Sequence, residues 1–186
     1  MSRSGRFAIR SRPMTTPSFD DLSVGDEAPA LVVEKLSRTN FVRYAGASGD
    51  FNPMHHDDTI ATSVGNPSVF GHGMLTAGLM ARVVKDWFGP EALRRYQVRF
   101  SKQVWPGDTL TFTATITGKR EEGDEKLVDL ECKATNQDGV EVLVGAATAV
   151  AACWVCSTAA SPSSPGRAGA SVASSRCAWP PRAPAS

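Results

Sequence analysis

Residues 73–88 constrain the fold more than any other stretch. Met74, Leu75, Leu79, Val83, Val84, Trp87 and Phe88 recur at helical spacing, and little polar surface remains beyond Arg82, Lys85 and Asp86. A helix apolar nearly all round has to be buried. Gly89-Pro90 ends it, since neither residue continues a helix well. The rest of the chain must therefore supply something large enough to wrap this helix.

Four strand-like segments follow. Residues 95–104 alternate through Tyr96, Val98 and Phe100. Residues 109–117 set Leu110, Phe112, Ala114 and Ile116 against five threonines. Residues 126–135 set Val128, Leu130, Cys132 and Ala134 against Asp129, Glu131 and Lys133, and residues 140–151 are apolar on both faces. Turn residues cluster at Pro106-Gly107-Asp108, Glu122-Gly123-Asp124 and Gln137-Asp138-Gly139. Tight turns imply antiparallel neighbours. Upstream, residues 28–36 read as a strand, 39–48 as a helix with Ser37 or Thr39 as its cap, and 58–64 as a short helix within a Gly- and Pro-rich stretch. One strand, helices, then a meander around a buried helix is an α+β arrangement: a hot-dog fold, an antiparallel sheet wrapped around one long helix.

This domain is expected over residues 19–152. Residues 1–13 hold four arginines and residues 153–186 three, with no acid in either, so a net charge of +1 leaves −6 on residues 14–152. An acidic body is not a nucleic-acid binder, whose footprint is a basic patch. No apolar run reaches the roughly 18–20 residues of a membrane span. Residues 1–18 read as a disordered or mis-started extension, with a faint transit-peptide character and no secretory h-region. Ala, Ser and Pro make up 21 of the 34 residues from 153 to 186, so a disordered tail is expected there. The lone Cys153-Trp154-Val155-Cys156 motif lacks the second pair that a zinc site needs. Cys132, the only body cysteine, reads as a small core residue, and a reducing cytoplasmic compartment is the default.

The chemistry-bearing residues crowd into a short window. All three histidines, His55, His56 and His72, lie within 18 residues, and Gly49-Asp50-Phe51-Asn52-Pro53-Met54-His55-His56-Asp57-Asp58 is the tightest group. Pro53 holds Asn52 extended, so Asp50 and His55 sit on a stiff irregular segment where their side chains can converge. Three readings fit: an Asp/Asn-rich turn, a metal site, and an acid–base pair sharing one water. Adjacent His55 and His56 point apart in an extended segment, and no ligand spacing supports a metal. Gly71-His72-Gly73-Met74 then opens the long helix. Its first amides are unpaired and lie at the positive dipole end, and Gly73 permits close approach of a substrate oxygen.

The run Tyr44-Ala45-Gly46-Ala47-Ser48-Gly49-Asp50-Phe51-Asn52-Pro53-Met54-His55 resembles the hydratase 2 motif of the MaoC-like, (R)-specific enoyl-thioester hydratases. Gly71 to Leu75 resembles the second landmark of that family, and Val98-Arg99-Phe100 with Trp105-Pro106-Gly107-Asp108 the third. Within the family, the likeness extends to the catalytic B subunits of mycolic-acid-type 3-hydroxyacyl-thioester dehydratases. The resemblance implies a dimeric hot-dog protein with Asp50 and His55 as the catalytic dyad. It also implies an oxyanion amide at Gly73, Asn52 bracing the dyad loop, and His72 and Met74 at the substrate site. Some relatives place a serine nine residues after the position of His72, bonded to the catalytic aspartate; here that residue is Ala81, so another group must orient Asp50.

The implied reaction is reversible hydration of a trans-2-enoyl thioester to an (R)-3-hydroxyacyl thioester, or the dehydration in fatty acid or polyketide synthesis. It needs no metal or cofactor, because the pantetheine of coenzyme A or of an acyl carrier protein belongs to the substrate. The partners implied are a second, identical or related hot-dog subunit, with no nucleic acid and no membrane. A hot-dog acyl-thioester hydrolase and a non-catalytic subunit of a heterodimer are the rival readings. The subunit reading is weakened by the presence of both Asp50 and His55.

Overall fold

A computed structural model of the chain describes residues 16–151. The expectations for residues 1–15 and 152–186, including the tail and its Cys-x-x-Cys, lie outside the described residues. Five strands and three helices are present: β1 (Leu31–Val33), α1 (Arg38–Ser48), α2 (Asp58–Ser63), α3 (Gly73–Phe88), β2 (Leu93–Phe100), β3 (Leu110–Glu122), β4 (Glu125–Thr135) and β5 (Glu141–Val150). The strands form one antiparallel sheet in the order β1-β3-β4-β5-β2. This is the α+β hot-dog arrangement, with α3 packed against the sheet.

Helix α3 begins and ends where its periodicity says it should, at Gly73 and Phe88. Its burial is one-sided, however. Thr76, Ala77, Met80, Val83, Val84, Trp87 and Phe88 are buried, while Met74 is 62% exposed and Leu75 and Leu79 are half-buried. The sheet covers one stripe of the helix, and the apolar residues of the other stripe remain accessible on the single chain. From the sheet, Leu110, Phe112, Ala114 and Ile116 of β3 meet this stripe beside Leu130, Cys132 and Ala134 of β4. The register puts Phe112 opposite Ala134, Ala114 opposite Cys132 and Ile116 opposite Leu130, so these inward-facing side chains meet as cross-strand pairs on the face that α3 covers. Burial among these residues pushes the Cys132 thiol up to about 12, as befits a core residue without thiolate character. Tyr96 ties the edge strand to the helix: its hydroxyl donates to the Ala77 carbonyl at 2.7 Å.

One expectation about connectivity is corrected. The turn at Pro106-Gly107-Asp108 does not join neighbouring strands, because β2 pairs with β5, and β4 and β5 lie between β2 and β3. At about 4.8 Å per strand, residues 101–109 cross the end of the sheet instead. They are stitched down on the way: the Val104 carbonyl accepts from the Gly71 amide at 2.8 Å, the Leu36 carbonyl accepts from the Gly107 amide at 2.6 Å, and the Leu36 amide donates to the Asp108 carbonyl at 2.8 Å. The sheet's edges are three-residue β1 and eight-residue β2, and β5 lies inside, paired with β4 on one side and β2 on the other. Segment ends also moved. β1 stops at Val33, two residues before Lys35 takes a left-handed φ of 46°. β2 ends at Phe100, where the crossing begins, and β3 runs on to Glu122 through a polar hairpin arm that carries no apolar alternation.

Candidate active site

Backbone geometry delivers Asp50. Ser37 caps α1 through a reciprocal box with Asn40: the Ser37 hydroxyl accepts from the Asn40 amide at 3.4 Å, and Asn40 Oδ1 accepts from the Ser37 amide at 2.9 Å. Gly49 ends the helix at a φ of 76°, a left-handed conformation that turns the chain sharply into Asp50. Asn52 then caps a single 3-10 turn, Pro53–His55, by accepting from the Met54 amide at 3.1 Å, and its own amide donates to Asp50 Oδ1 at 3.3 Å. His55, the last residue of that turn, is buried.

These steps set Asp50 Oδ2 4.0 Å from His55 Nε2. The other ring nitrogen, Nδ1, lies 2.8 Å from the Phe70 carbonyl, and a carbonyl only accepts, so Nδ1 carries the proton. In the neutral imidazole Nε2 is then the bare nitrogen, and it faces the Asp50 carboxylate. Two acceptors across such a gap suit one water, which can donate a proton to each. The rings of Phe70 and His72 enclose the imidazole, edge-on at 5.1 Å and stacked at 3.7 Å.

The nearby acids do other work. Asp57 caps α2 through the Thr59 and Ile60 amides. Asp58 pairs with Arg38 and accepts from the Val69 amide, and Asp86 pairs with Arg82 on α3. His56 donates to the Phe51 carbonyl at 3.1 Å. Asp50, His55 and His72 do place one ligand atom each within 4.8 Å of the others. Lone pairs of imidazoles lie in the ring plane, so these stacked rings direct theirs side by side rather than at one point. Both rings also give a proton to a carbonyl. That donor set suits proton transfer better than metal binding.

A cavity of about 350 Å³ is walled by Phe70, Gly71, Gly73, Thr76, Phe100 and Val104 and by exposed Lys102; Asp50 and His55 do not line it, and Phe70, which packs on the His55 ring, connects the two. Gly73 opens α3 here, and its amide has no partner among the described residues. A Cβ on Gly73 would stand 3.1 Å from the Phe100 ring, so glycine keeps the approach to this amide open. Of the other expected site residues, Asn52 braces the loop, His72 lies beneath it at 2% exposure, and Met74 points away into solvent; none of these three lines the cavity. The reading from sequence missed Phe70, Thr76, Phe100 and Lys102. Phe70 contributes a backbone carbonyl, which no side-chain pattern encodes, and Phe100 and Lys102 arrive only because the crossing segment passes the mouth of α3.

Gly71 is needed for packing. A Cβ there would stand 2.9 Å from the ring of Phe41, which is fully buried. Gly71→Ala is therefore expected to destabilise by about 1–3 kcal/mol. The check is urea unfolding, where the midpoint should fall with the slope unchanged.

His72 gives the site a pH signature. Burial holds its imidazole below the ordinary histidine value of 6.5; the hydrogen bond to Asp50 pulls the other way, and His55 and His56 add to the lowering. As pH falls below about 6.5, the unfolded chain takes up a proton that the folded chain refuses, so stability is lost across that window and is fully present above it. Thermal melts between pH 5 and 7.5 should show this slope, and His72→Phe should flatten it.

The MaoC-like domain model matches residues 22–138 of the chain. An (R)-specific enoyl-CoA hydratase of Rhodospirillum rubrum is 33% identical over 102 residues, 54% of this chain and 69% of that protein. A 3-hydroxyacyl-thioester dehydratase X of Mycobacterium tuberculosis is 38% identical over 76 residues, 41% of this chain and 26% of that protein. A chain of the ChsH1–ChsH2 complex from Mycobacterium tuberculosis superposes with a TM-score of 0.62 at 26% identity, over 70% of this chain and 98% of that one. The share of a curated relative's own length that the chain spans runs from 5% to 69%.

Proposed function

Because this chain belongs to the MaoC-like domain family, we propose that it catalyses the reversible addition of water to a trans-2-enoyl thioester, giving an (R)-3-hydroxyacyl thioester. The observation that carries this reading is the bare His55 Nε2 facing the Asp50 carboxylate at 4.0 Å, beside a helix N-terminus that opens onto a cavity.

In the hydration direction, the dyad holds one water over C3. The water oxygen bonds to C3, and one of its protons passes to the dyad. The electron pair of the C2–C3 double bond moves toward the thioester, and the enolate oxygen takes a hydrogen bond from the Gly73 amide. A proton is then delivered to C2 and the thioester carbonyl reforms. Acid–base catalysis of this kind typically contributes about 10²–10⁴-fold, and one oxyanion donor about 10²–10³-fold. Asp50 and His55 share one water, so the roles of base and acid belong to the dyad rather than to either residue.

In this reading no metal or redox group takes part. The pantetheine carrier enters with the substrate, and exposed Lys102 stands at the cavity rim where an anionic carrier would pass. No helix of the described residues is long and apolar enough to cross a membrane. A reducing, cytoplasmic setting fits the buried free thiol of Cys132.

The test is loss of enoyl-thioester ultraviolet absorbance on mixing the pure chain with crotonyl-CoA and longer enoyl-CoAs, with chiral analysis of the alcohol. Formation of the (R)-3-hydroxy product supports the reading. Release of free thiol from saturated acyl-CoA, without hydration, would make the chain a thioester hydrolase instead.

A further inference from the structure

His72 is placed as no ordinary core residue would be. Its side chain is 2% exposed and lines no cavity, so it does not reach substrate. Its Nε2 lies 3.1 Å from the Asp50 backbone carbonyl and must donate to it, which leaves Nδ1 as the bare nitrogen. That Nδ1 is buried without any partner. The ring stacks on His55 at 3.7 Å between centroids, with an angle of 30°, and Tyr44 meets its other side edge-on at 5.0 Å. His72 is also the N-cap residue of α3, yet its side chain caps nothing.

Stability does not explain an imidazole here. An unpartnered buried acceptor counts against folding, and a phenyl ring would fill the same space without one. What only the imidazole supplies is the N–H on Asp50. Asp50 needs such an anchor, because its carboxylate receives little from nearby side chains: residue 81 is alanine, and the Asn52 amide reaches Oδ1 only at 3.3 Å.

We propose that His72 is the positioning residue of the dyad, holding Asp50 by its backbone carbonyl and His55 by its ring face, so that the carboxylate and Nε2 stay opposed across one water. The proposal rests on the hydratase reading for its effect on rate, and on geometry alone for its effect on the two side chains. The titratable groups around His72 are Asp50, His55 and His56, with the Tyr44 ring on the remaining side.

His72→Phe isolates the effect, since it keeps the stack and removes both the N–H and the orphaned Nδ1. The expected result is a fall in kcat of about tenfold or more, the cost of a misplaced reacting group. KM should stay within about twofold, and the melting temperature should change little, because removal of the orphaned Nδ1 offsets loss of the donor to the Asp50 carbonyl. His72→Gln restores an amide donor near the position of Nε2–H and should recover most of the activity that His72→Ala loses. Nitrogen-15 NMR of the histidine rings supplies a readout that does not need turnover. In the wild type His55 should carry its proton on Nδ1 and His72 on Nε2, and in His72→Phe the His55 ring-nitrogen shifts should move. A well-folded His72→Phe with wild-type kcat and unmoved His55 ring-nitrogen shifts would overturn the proposal. If His72→Phe does not fold, equal losses in His72→Gln and His72→Ala would overturn it. If the wild type hydrates no enoyl thioester, the hydratase reading fails by itself, and the His55 ring-nitrogen shifts alone decide whether His72 positions it.

Discussion

Asp50→Asn and His55→Ala are each expected to lower kcat by about 10²-fold or more, with the hot-dog domain still folded. Asp50→Asn keeps the shape of the side chain and its contact with the Asn52 amide but cannot hold a proton at neutral pH. Asp50 is half exposed, so little packing is at stake. His55→Ala removes more: the Phe70 carbonyl loses its donor and the His72 ring loses its stacking partner. An unpaired buried acceptor costs about 1–3 kcal/mol, so a lower melting temperature is expected in that variant alone. The double variant should be little worse than either single one, because a pair that handles one proton fails as a unit. Near wild-type turnover in either folded single variant would remove the dyad from the mechanism.

The second large effect is expected on assembly. β2 is an eight-residue edge strand whose outward-pointing backbone groups, those of every other residue, face no strand among the described residues, and the exposed stripe of α3 adds apolar surface. Arg94, Arg95 and Arg99 on β2 work against indiscriminate pairing, so the partner must be specific. β2 also ends at Phe100, which walls the cavity, so a subunit docked along this edge would sit beside that cavity. The matched structure from Mycobacterium tuberculosis is itself a complex of two chains, ChsH1 and ChsH2. For this chain, light scattering should give about 40 kDa, twice the 19.8 kDa of one chain, and specific activity should be lost on dilution below the dissociation constant. Insolubility of the chain alone, cured by co-expression with a related hot-dog subunit, would make the pair a heterodimer. A fully active monomer at micromolar concentration would rule out both forms.

Much of this molecule was legible along the chain because the signals are local. The span 73–88, the Ser37 cap and the inward faces of β3 and β4 follow from 3.6- and 2-residue periods, which backbone geometry imposes on neighbouring residues. The pairing of Asp50 with His55 was likewise readable, since only four residues lie between them and Pro53 stiffens the path. Strand order was not. Which strand lies beside β5, and whether the 101–109 segment turns back or crosses the sheet, depends on contacts between residues far apart in sequence, at offsets that no fixed period encodes. The same holds for His72. The sequence places it at the mouth of α3, and only the tertiary packing of the 49–55 loop against that mouth turns its ring nitrogen toward Asp50 and its face toward His55, because hydrogen bonds and ring stacking act through space rather than along the backbone.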